Sequence, residues 1–213
     1  MPAPSPKAWV FDLDNTLYPA ESTLYDAIGE RMTAYIARAT GLAPKEAETL
    51  REHYFHEYGA TVVGLIRHHG VDGAHFMADV HDVDLSIVAP DPALNALIAA
   101  LDGRKFVFTN GGRDYARRIL AQLDLASHFD AVIDLETLGF TPKPHPDAYA
   151  QTIALCGIDP RESVLIEDTL HNLIPAAALG FETVLVGAVH PDPRPPYVHH
   201  HAHDLKSFLR GGA

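Results

Sequence analysis

Apolar residues follow two rhythms along this chain. Short unbroken runs occur in "AWVFD" (8–12), "KFVFTN" (105–110), "SVLIED" (163–168) and "TVLVG" (183–187), with a weaker one in "AVIDL" (131–135). Such runs, rich in β-branched and aromatic residues, read as strands covered on both faces. Between them the spacing turns helical. Arg113 to Leu123 sets Ala116, Ile119, Leu120 and Leu123 on one face, and Pro146 to Leu155 opens on a proline suited to a first helical turn. Residues 170–179 read as another helix, with Pro175 inside its first turns. Strands alternating with helices predict an α/β fold, a doubly wound parallel sheet whose chemistry lies beyond the carboxyl ends of its strands.

One interval breaks the alternation. From Tyr18 to about Ala89 there is no strand pattern; Leu24, Ile28, Met32 and Ile36 recur every four residues, and helical stretches follow near 44–57, 60–69 and 73–81. An unstructured connection of that length is foreign to a compact domain, so the segment reads as a helical cap inserted after the first strand. The predicted division is a core of residues 1–17 and 89–213 with a cap over 18–88. Asp91 and Pro92 look like the N-cap and first residue of the helix that returns to the core. The tail "HPDPRPPYVHHHAHDLKSFL" predicts a proline-rich loop, a short extended piece and an amphipathic turn from Asp204. There is no internal repeat.

Composition narrows the partners. With 213 residues and an apolar fraction of 47%, the chain can bury an ordinary core, and its formal charge of −12 disfavours long nucleic acid and anionic membrane. A small anion can still enter a locally positive pocket. Cys156 is the single cysteine, which rules out an intrachain disulfide and a thiolate zinc cluster. The opening "MPAPSPKAWVFD" has neither the basic nor the apolar segment of a secretory signal, and no run nears the ~18 apolar residues of a membrane span, so a soluble cytoplasmic protein is expected. The histidines of 199–203 lack a carboxylate partner in sequence and read as solvated, with metal binding as the alternative.

Charged and polar groups gather where the strands end. Asp12 and Asp14 close the first run, Thr109, Asn110 and Gly111 the second, Glu167 and Asp168 a later one, and Lys143 sits in "TPKPHP". Each alone has an ordinary explanation as a turn former, a cap or a surface charge. Together at one sheet edge they suit phosphoryl transfer. Converging carboxylates repel unless a hard divalent cation, magnesium foremost, sits among them and reaches a phosphate oxygen. One carboxylate can then attack phosphorus while a neighbour handles the leaving-group proton, and a hydroxyl, glycine-turn amides and a lysine offset the nonbridging oxygens.

The stretches "FDLDNTLYP" (11–19), "FTNGG" (108–112), "PKP" (142–144) and "IEDTLHNL" (166–173), with a helical insert after the first, resemble the haloacid dehalogenase-like phosphohydrolases. More narrowly, "DLDNTLYP" and "VHDVDLSIVAPDPAL" (80–94) resemble the pyrimidine 5′-nucleotidase branch. The resemblance covers about residues 8–187. It implies Asp12 as nucleophile and Asp14 as general acid/base, with Thr109, Asn110, Gly111 and Lys143 around the phosphoryl group. It implies Mg2+ held by Asp12, Asp168 and the backbone carbonyl of Asp14, with Glu167 as a further ligand or support and Asn172 ordering the same loop. Asn15 stands where glycine is commonest in the wider superfamily. Halide-releasing members need no leaving-group acid and carry "D-x-Y", so Asp14 argues for a phosphate ester. The implied substrate is a nucleoside 5′-monophosphate, UMP or CMP, with phosphoglycolate or a sugar phosphate as the alternative small metabolite and a phospho-accepting receiver-like switch as the non-enzyme alternative. Candidates for selecting the ester are Tyr18, Tyr25, Tyr54, Tyr58, Arg67, His68 and His69.

Overall fold

The computed structural model describes residues 6–187 and 192–211. Six strands, β1 (Ala8–Phe11), β2 (Arg104–Phe108), β3 (Ala131–Ile133), β4 (Ser163–Glu167), β5 (Glu182–Val186) and β6 (His200–Ala202), form one sheet in the order β3-β2-β1-β4-β5-β6. Every pairing is parallel. All of β4 is buried, as its unbroken apolar run requires. The strand order reverses between β1 and β4, and that reversal opens a crevice beyond their carboxyl ends. Phe11 pairs with Val107 on one side and Ile166 on the other, so Asp12 emerges between the ends of β2 and β4.

The helices α5 (Pro92–Ala99), α6 (Arg113–Gln122) and α9 (Leu205–Leu209) pack on one face of the sheet, through Leu94, Ile98, Ile119, Leu120 and Leu205. The other face is covered by α7 (Pro146–Cys156) and α8 (Leu173–Leu179), through Ala148, Tyr149, Leu173 and Ala176. Residue 170–179 is a 3₁₀ turn, Leu170–Asn172, followed by α8. Pro175 explains the split: it has no N–H to donate, and in α8 it falls among the first residues, whose N–H groups lack helical partners anyway. Asp91 caps α5 by accepting from Ala93 N at 3.0 Å and Leu94 N at 3.1 Å, and its other oxygen takes Lys206 Nζ at 2.6 Å, which ties the tail to the core. The chain start at 1–5 and His190 and Pro191 of the proline-rich stretch lie outside the described residues.

Between β1 and β2 the regular elements are helical: α1 (Leu24–Thr40), α2 (Pro44–Tyr58), α3 (Thr61–His69) and α4 (Gly73–Val80) precede α5. Tyr35, Ile36, Tyr54, Val62, Leu65, Phe76 and Val80 form a core of their own for this layer. Leu24 and Ile28 instead join the main core, which seats the start of α1 on the sheet domain. Met32, the remaining member of that four-residue rhythm, is only partly buried because it faces a cavity. Gly64 lets α3 lie against α2: a Cβ there would fall 2.2 Å from the Tyr54 ring. No helix among the described residues is long and apolar enough to cross a membrane.

Candidate active site

Asp12 prolongs β1 by one hydrogen bond, its N–H donating to Ile166 O at 2.9 Å. The chain then turns back, with Leu17 N on Leu13 O at 3.0 Å, through Asn15 at φ +62°. A left-handed φ is tolerated by asparagine and favours glycine, which is why either residue suits this position. The turn brings the Thr16 hydroxyl to Asp12 Oδ2 at 3.1 Å, while Lys143 Nζ donates to Asp12 Oδ1 at 2.6 Å.

Lys143 reaches in from the loop between β3 and α7 and is 2% exposed on its side chain, so its charge must be met inside the protein. Besides Asp12 it donates to Glu167 Oε1 at 2.6 Å and Phe108 O at 2.8 Å. Asn110 holds its backbone from both sides, Nδ2 donating to Lys143 O at 3.0 Å and Oδ1 accepting from Lys143 N at 2.8 Å. The Asn110 side chain therefore acts on this corner by way of Lys143. At Gly59, φ +80°, the end of α2 comes so close to this loop that a Cβ would sit 2.6 Å from Lys143 O. Glu167 is fully engaged, accepting from Asn172 Nδ2 at 2.6 Å and from Thr169 N at 2.7 Å as well as from Lys143. The buried Thr109 hydroxyl accepts from Gly111 N at 2.8 Å, which spends that amide and leaves the hydroxyl hydrogen to donate.

Carboxylate oxygens of Asp12, Glu167 and Asp168 all lie within 4.8 Å of one another, and no other such group of metal-ligating side chains occurs among the described residues. The Asp14 carboxylate is not in this group; Glu167 is. The tail histidines, expected to be solvated without a carboxylate partner, do find partners once folded: His199 meets Thr183, His200 meets Glu182 and His203 meets Asp204. Three carboxylates against the single Lys143 ammonium leave two negative charges, the charge of one divalent cation. Burial, resisted by Lys143 and reinforced by Glu167 and Asp14, pushes Asp12 up to about 7. Burial and then Asp12 push Asp168 up to about 6. Burial also disfavours the Lys143 charge, yet Asp12 and Glu167 together hold its ammonium above the usual range. The all-oxygen donor set, plus a buried Asn15 Oδ1 that has no hydrogen-bond partner near Asp168, fits a hard cation such as Mg2+.

A pH signature follows. Folded-state values raised above the unfolded value of 3.8 mean that Asp12 and Asp168 contribute stability below about pH 4 and lose it as pH rises through about 6 and about 7. A divalent cation bound among these carboxylates would replace the missing protons. The rise in Tm on adding Mg2+ should accordingly be larger near pH 8 than near pH 5; thermal melts with and without the ion check this, and a pH-independent rise contradicts it.

Asp14 lies beside this cluster in a different setting. Tyr18 and Tyr115 both donate to its Oδ1 at 2.6 Å, with their own oxygens 3.1 Å apart. Burial, and then the Asp14 charge, push both phenols above their ordinary range, so they remain donors. His81, just past α4, stacks on Tyr115 at 4.4 Å between centroids and 20° between planes.

A cavity of about 630 Å³ connects these groups to the helical layer. Ile28, Met32, Phe55, Phe76 and Met77 give it apolar lining, and Tyr25, Glu52, Glu57 and Tyr58 also line it. The other proposed selectors fall elsewhere. Tyr54 is core, Tyr18 is spent on Asp14, Arg67 lies over the Tyr58 ring, and His68 and His69 pair with Tyr58 and Tyr54. Besides Lys143, the lysine or arginine that lines the cavity is Arg51, whose buried Nε has no partner. Arg51, Phe55 and Tyr58 recur at helical spacing along α2, the signal by which the sequence could have shown this wall. Tyr115 and His81 carried no such signal, since their roles depend on α6 and α4 meeting.

The family model for haloacid dehalogenase-like hydrolases matches residues 6–180. Phosphate metabolism protein 8 of Saccharomyces cerevisiae is 27% identical over 86% of this chain, which spans 62% of that protein's length. A (S)-2-haloacid dehalogenase of Xanthobacter autotrophicus is 26% identical over 84% of this chain and 74% of its own. A phosphoglycolate phosphatase of Chromobacterium violaceum is 26% identical over 85% of both. Among solved structures, a phosphatase of Thermococcus onnurineus shares the fold with a TM-score of 0.66 at 18% identity, over 96% of each chain.

Proposed function

Because this chain belongs to the haloacid dehalogenase-like hydrolase family, we propose that it is a magnesium-dependent phosphomonoesterase working through an aspartyl phosphate on Asp12, with nucleoside 5′-monophosphates, UMP and CMP, as its substrates. The observation that carries the reading is the cluster of Asp12, Glu167, Asp168 and Lys143, short by two positive charges and facing a cavity that also holds Asp14. Phosphatase-named relatives of similar length support it. Mg2+, held by Asp12 and Asp168 with Glu167 behind them, would supply positive charge to the phosphoryl oxygens.

The chain's own residues do the rest. In the first half, an Asp12 carboxylate oxygen bonds to phosphorus, and the bond from phosphorus to the ester oxygen breaks with its electron pair. That oxygen takes a proton from Asp14 and departs as the alcohol. In the second half Asp14 receives a proton from water, the water oxygen bonds to phosphorus, and Asp12 is released as a carboxylate with inorganic phosphate. The Thr109 hydroxyl donates to a nonbridging oxygen, and Lys143, whose three hydrogens are held by Asp12, Glu167 and Phe108 O, contributes positive charge beside it. Asp14 is what separates this chemistry from halide release, whose leaving group needs no proton.

The nucleotide reading draws on the branch resemblance and on the cavity's size and lining. Its apolar lining and the rings of Tyr25 and Tyr58 suit a base, and the Arg51 guanidinium that lines the same cavity suits a base carbonyl. A kcat/KM panel of phosphate esters tests it. UMP and CMP should exceed phosphoglycolate and hexose phosphates by at least about tenfold, and Arg51→Ala should shrink that margin by about tenfold. Phosphoglycolate ranking level with or above the nucleotides would replace this reading with the second one, favoured by the phosphoglycolate phosphatase relative of matching length. Phosphorylation without turnover would favour the receiver-like switch.

A further inference from the structure

We propose that Tyr115 and Tyr18 are positioning residues for Asp14, jointly occupying its Oδ1 so that the catalytic proton travels on Oδ2 toward the ester oxygen. This rests on the reading of Asp14 as the leaving-group acid. The two phenols come from separate elements, Tyr18 from the loop after β1 and Tyr115 from the first turn of α6, and both converge on the same oxygen at 2.6 Å. Each phenol has one hydrogen, and the short contacts to Oδ1 take both; the 3.1 Å contact between the phenols follows from their convergence. A carboxylate oxygen that already accepts two O–H groups is the weaker base of the pair, and a proton placed on it would have to displace a phenol. Protonation therefore falls on Oδ2, which the pair does not engage, and Asp14 borders the cavity where the ester must sit.

The surroundings hold the phenols in that arrangement. Tyr18 is 3% exposed and Tyr115 1%. The Tyr115 ring has His81 stacked on one face, and a Cβ on Gly111 would stand 3.2 Å from its Cδ1, so the absent side chain there leaves room for the ring. Three residues further along α6, Arg118 donates to His81 O and Val83 O, both at 3.2 Å, which pins the strand of chain leaving the helical layer to the same helix. A phenylalanine at either position would keep the packing and lose only the hydrogen bond. In the first half-reaction the proton passes from Oδ2 to the departing oxygen as the bond to phosphorus breaks, and in the second it returns to Oδ2 from the attacking water. The phenols end each half as they began.

The test uses the full-length protein with Mg2+ and a series of phosphate monoesters from alkyl through phenyl to 2,4-dinitrophenyl. kcat/KM reads events up to the first irreversible step, phosphoryl transfer to Asp12, so the later hydrolysis does not mask the result. A poor leaving group needs its proton and a good one does not. Tyr115→Phe should lower kcat/KM for the alkyl ester by at least about tenfold and for the dinitrophenyl ester by less than about threefold. In an Asp14→Asn background the same substitution should produce no further leaving-group-dependent loss. A uniform loss across the series, or none, overturns the proposal. Should Tyr115→Phe fail to fold in a thermal melt, Tyr18→Phe carries the same expectations. A wild-type protein inert toward every ester overturns the phosphatase reading and this proposal with it, a failure distinguishable from a uniform loss in the variants.

Discussion

Asp12→Asn is expected to remove turnover of every phosphate ester, by at least about four orders of magnitude in kcat, while leaving the fold intact. The amide keeps the shape of the carboxylate, and its oxygen can still accept from Lys143 Nζ, which now sits 2.6 Å from Oδ1. What it lacks is the electron pair on an anionic oxygen that forms the bond to phosphorus. The substitution also deletes one of three clustered carboxylates, the one that burial, reinforced by Glu167 and Asp14, pushes up to about 7. The metal-free variant should therefore melt no lower than the parent near pH 8, and the gain in Tm from Mg2+ should shrink, because one ligand and one charge are gone. Activity lost together with a collapse in Tm would point to a structural role for Asp12, and retained activity would remove it from the chemistry.

The second large effect concerns Lys143. Its Nζ is the shared counter-charge of two buried carboxylates, at 2.6 Å from each. Lys143→Met fills similar space but leaves Asp12 and Glu167 facing each other without it, a loss of about 3–5 kcal/mol in the metal-free protein. Urea titration near pH 8 should show that loss in full. At lower pH the loss should diminish, because the raised folded-state values of the two carboxylates let them bind protons in place of the ammonium. Adding Asp12→Asn should restore part of the stability, since the pair that repels is then broken; strict additivity of the two substitutions would contradict the coupling. Residual kcat should fall by about a hundredfold or more, as expected when a preorganised cation is taken from the developing phosphoryl charge.

Much of this was legible in the chain before any coordinates. The apolar runs ending in Asp12, Thr109 and Glu167 read as central strands, because a sheet covered on both faces buries all of "SVLIE" and all of "AWVF" but Trp9, which is partly exposed. Asp91 and Pro92 declared the return to the core by local capping chemistry alone. The 3₁₀ turns were harder, since three-residue helical elements leave no periodicity to read, while β3 and β6 showed only as a weak apolar run and a short extended piece. The site divided along the same line. Residues within one motif were found, such as Asn172 reaching back five positions to Glu167. Groups brought together by packing between layers were not: Tyr115 reached Asp14 across 101 residues of sequence, while Arg51, at helical spacing from Phe55 and Tyr58 on the cavity wall, was readable but not read. Among the tyrosines, composition could not separate Tyr54, wedged against Gly64 in a core, from Tyr58 on the cavity wall.

The most direct measurement is chemical capture of Asp12 in mid-reaction. The enzyme is mixed with substrate, quenched in acid within one turnover and treated with borohydride, which reduces an acyl phosphate to the alcohol, and the peptide spanning β1 is sequenced by mass spectrometry. Homoserine at position 12, formed only when substrate and Mg2+ are both present, is the predicted outcome. Reduction at another carboxylate, or the same yield at position 12 after the ion has been chelated, would contradict a nucleophile readied by a divalent cation.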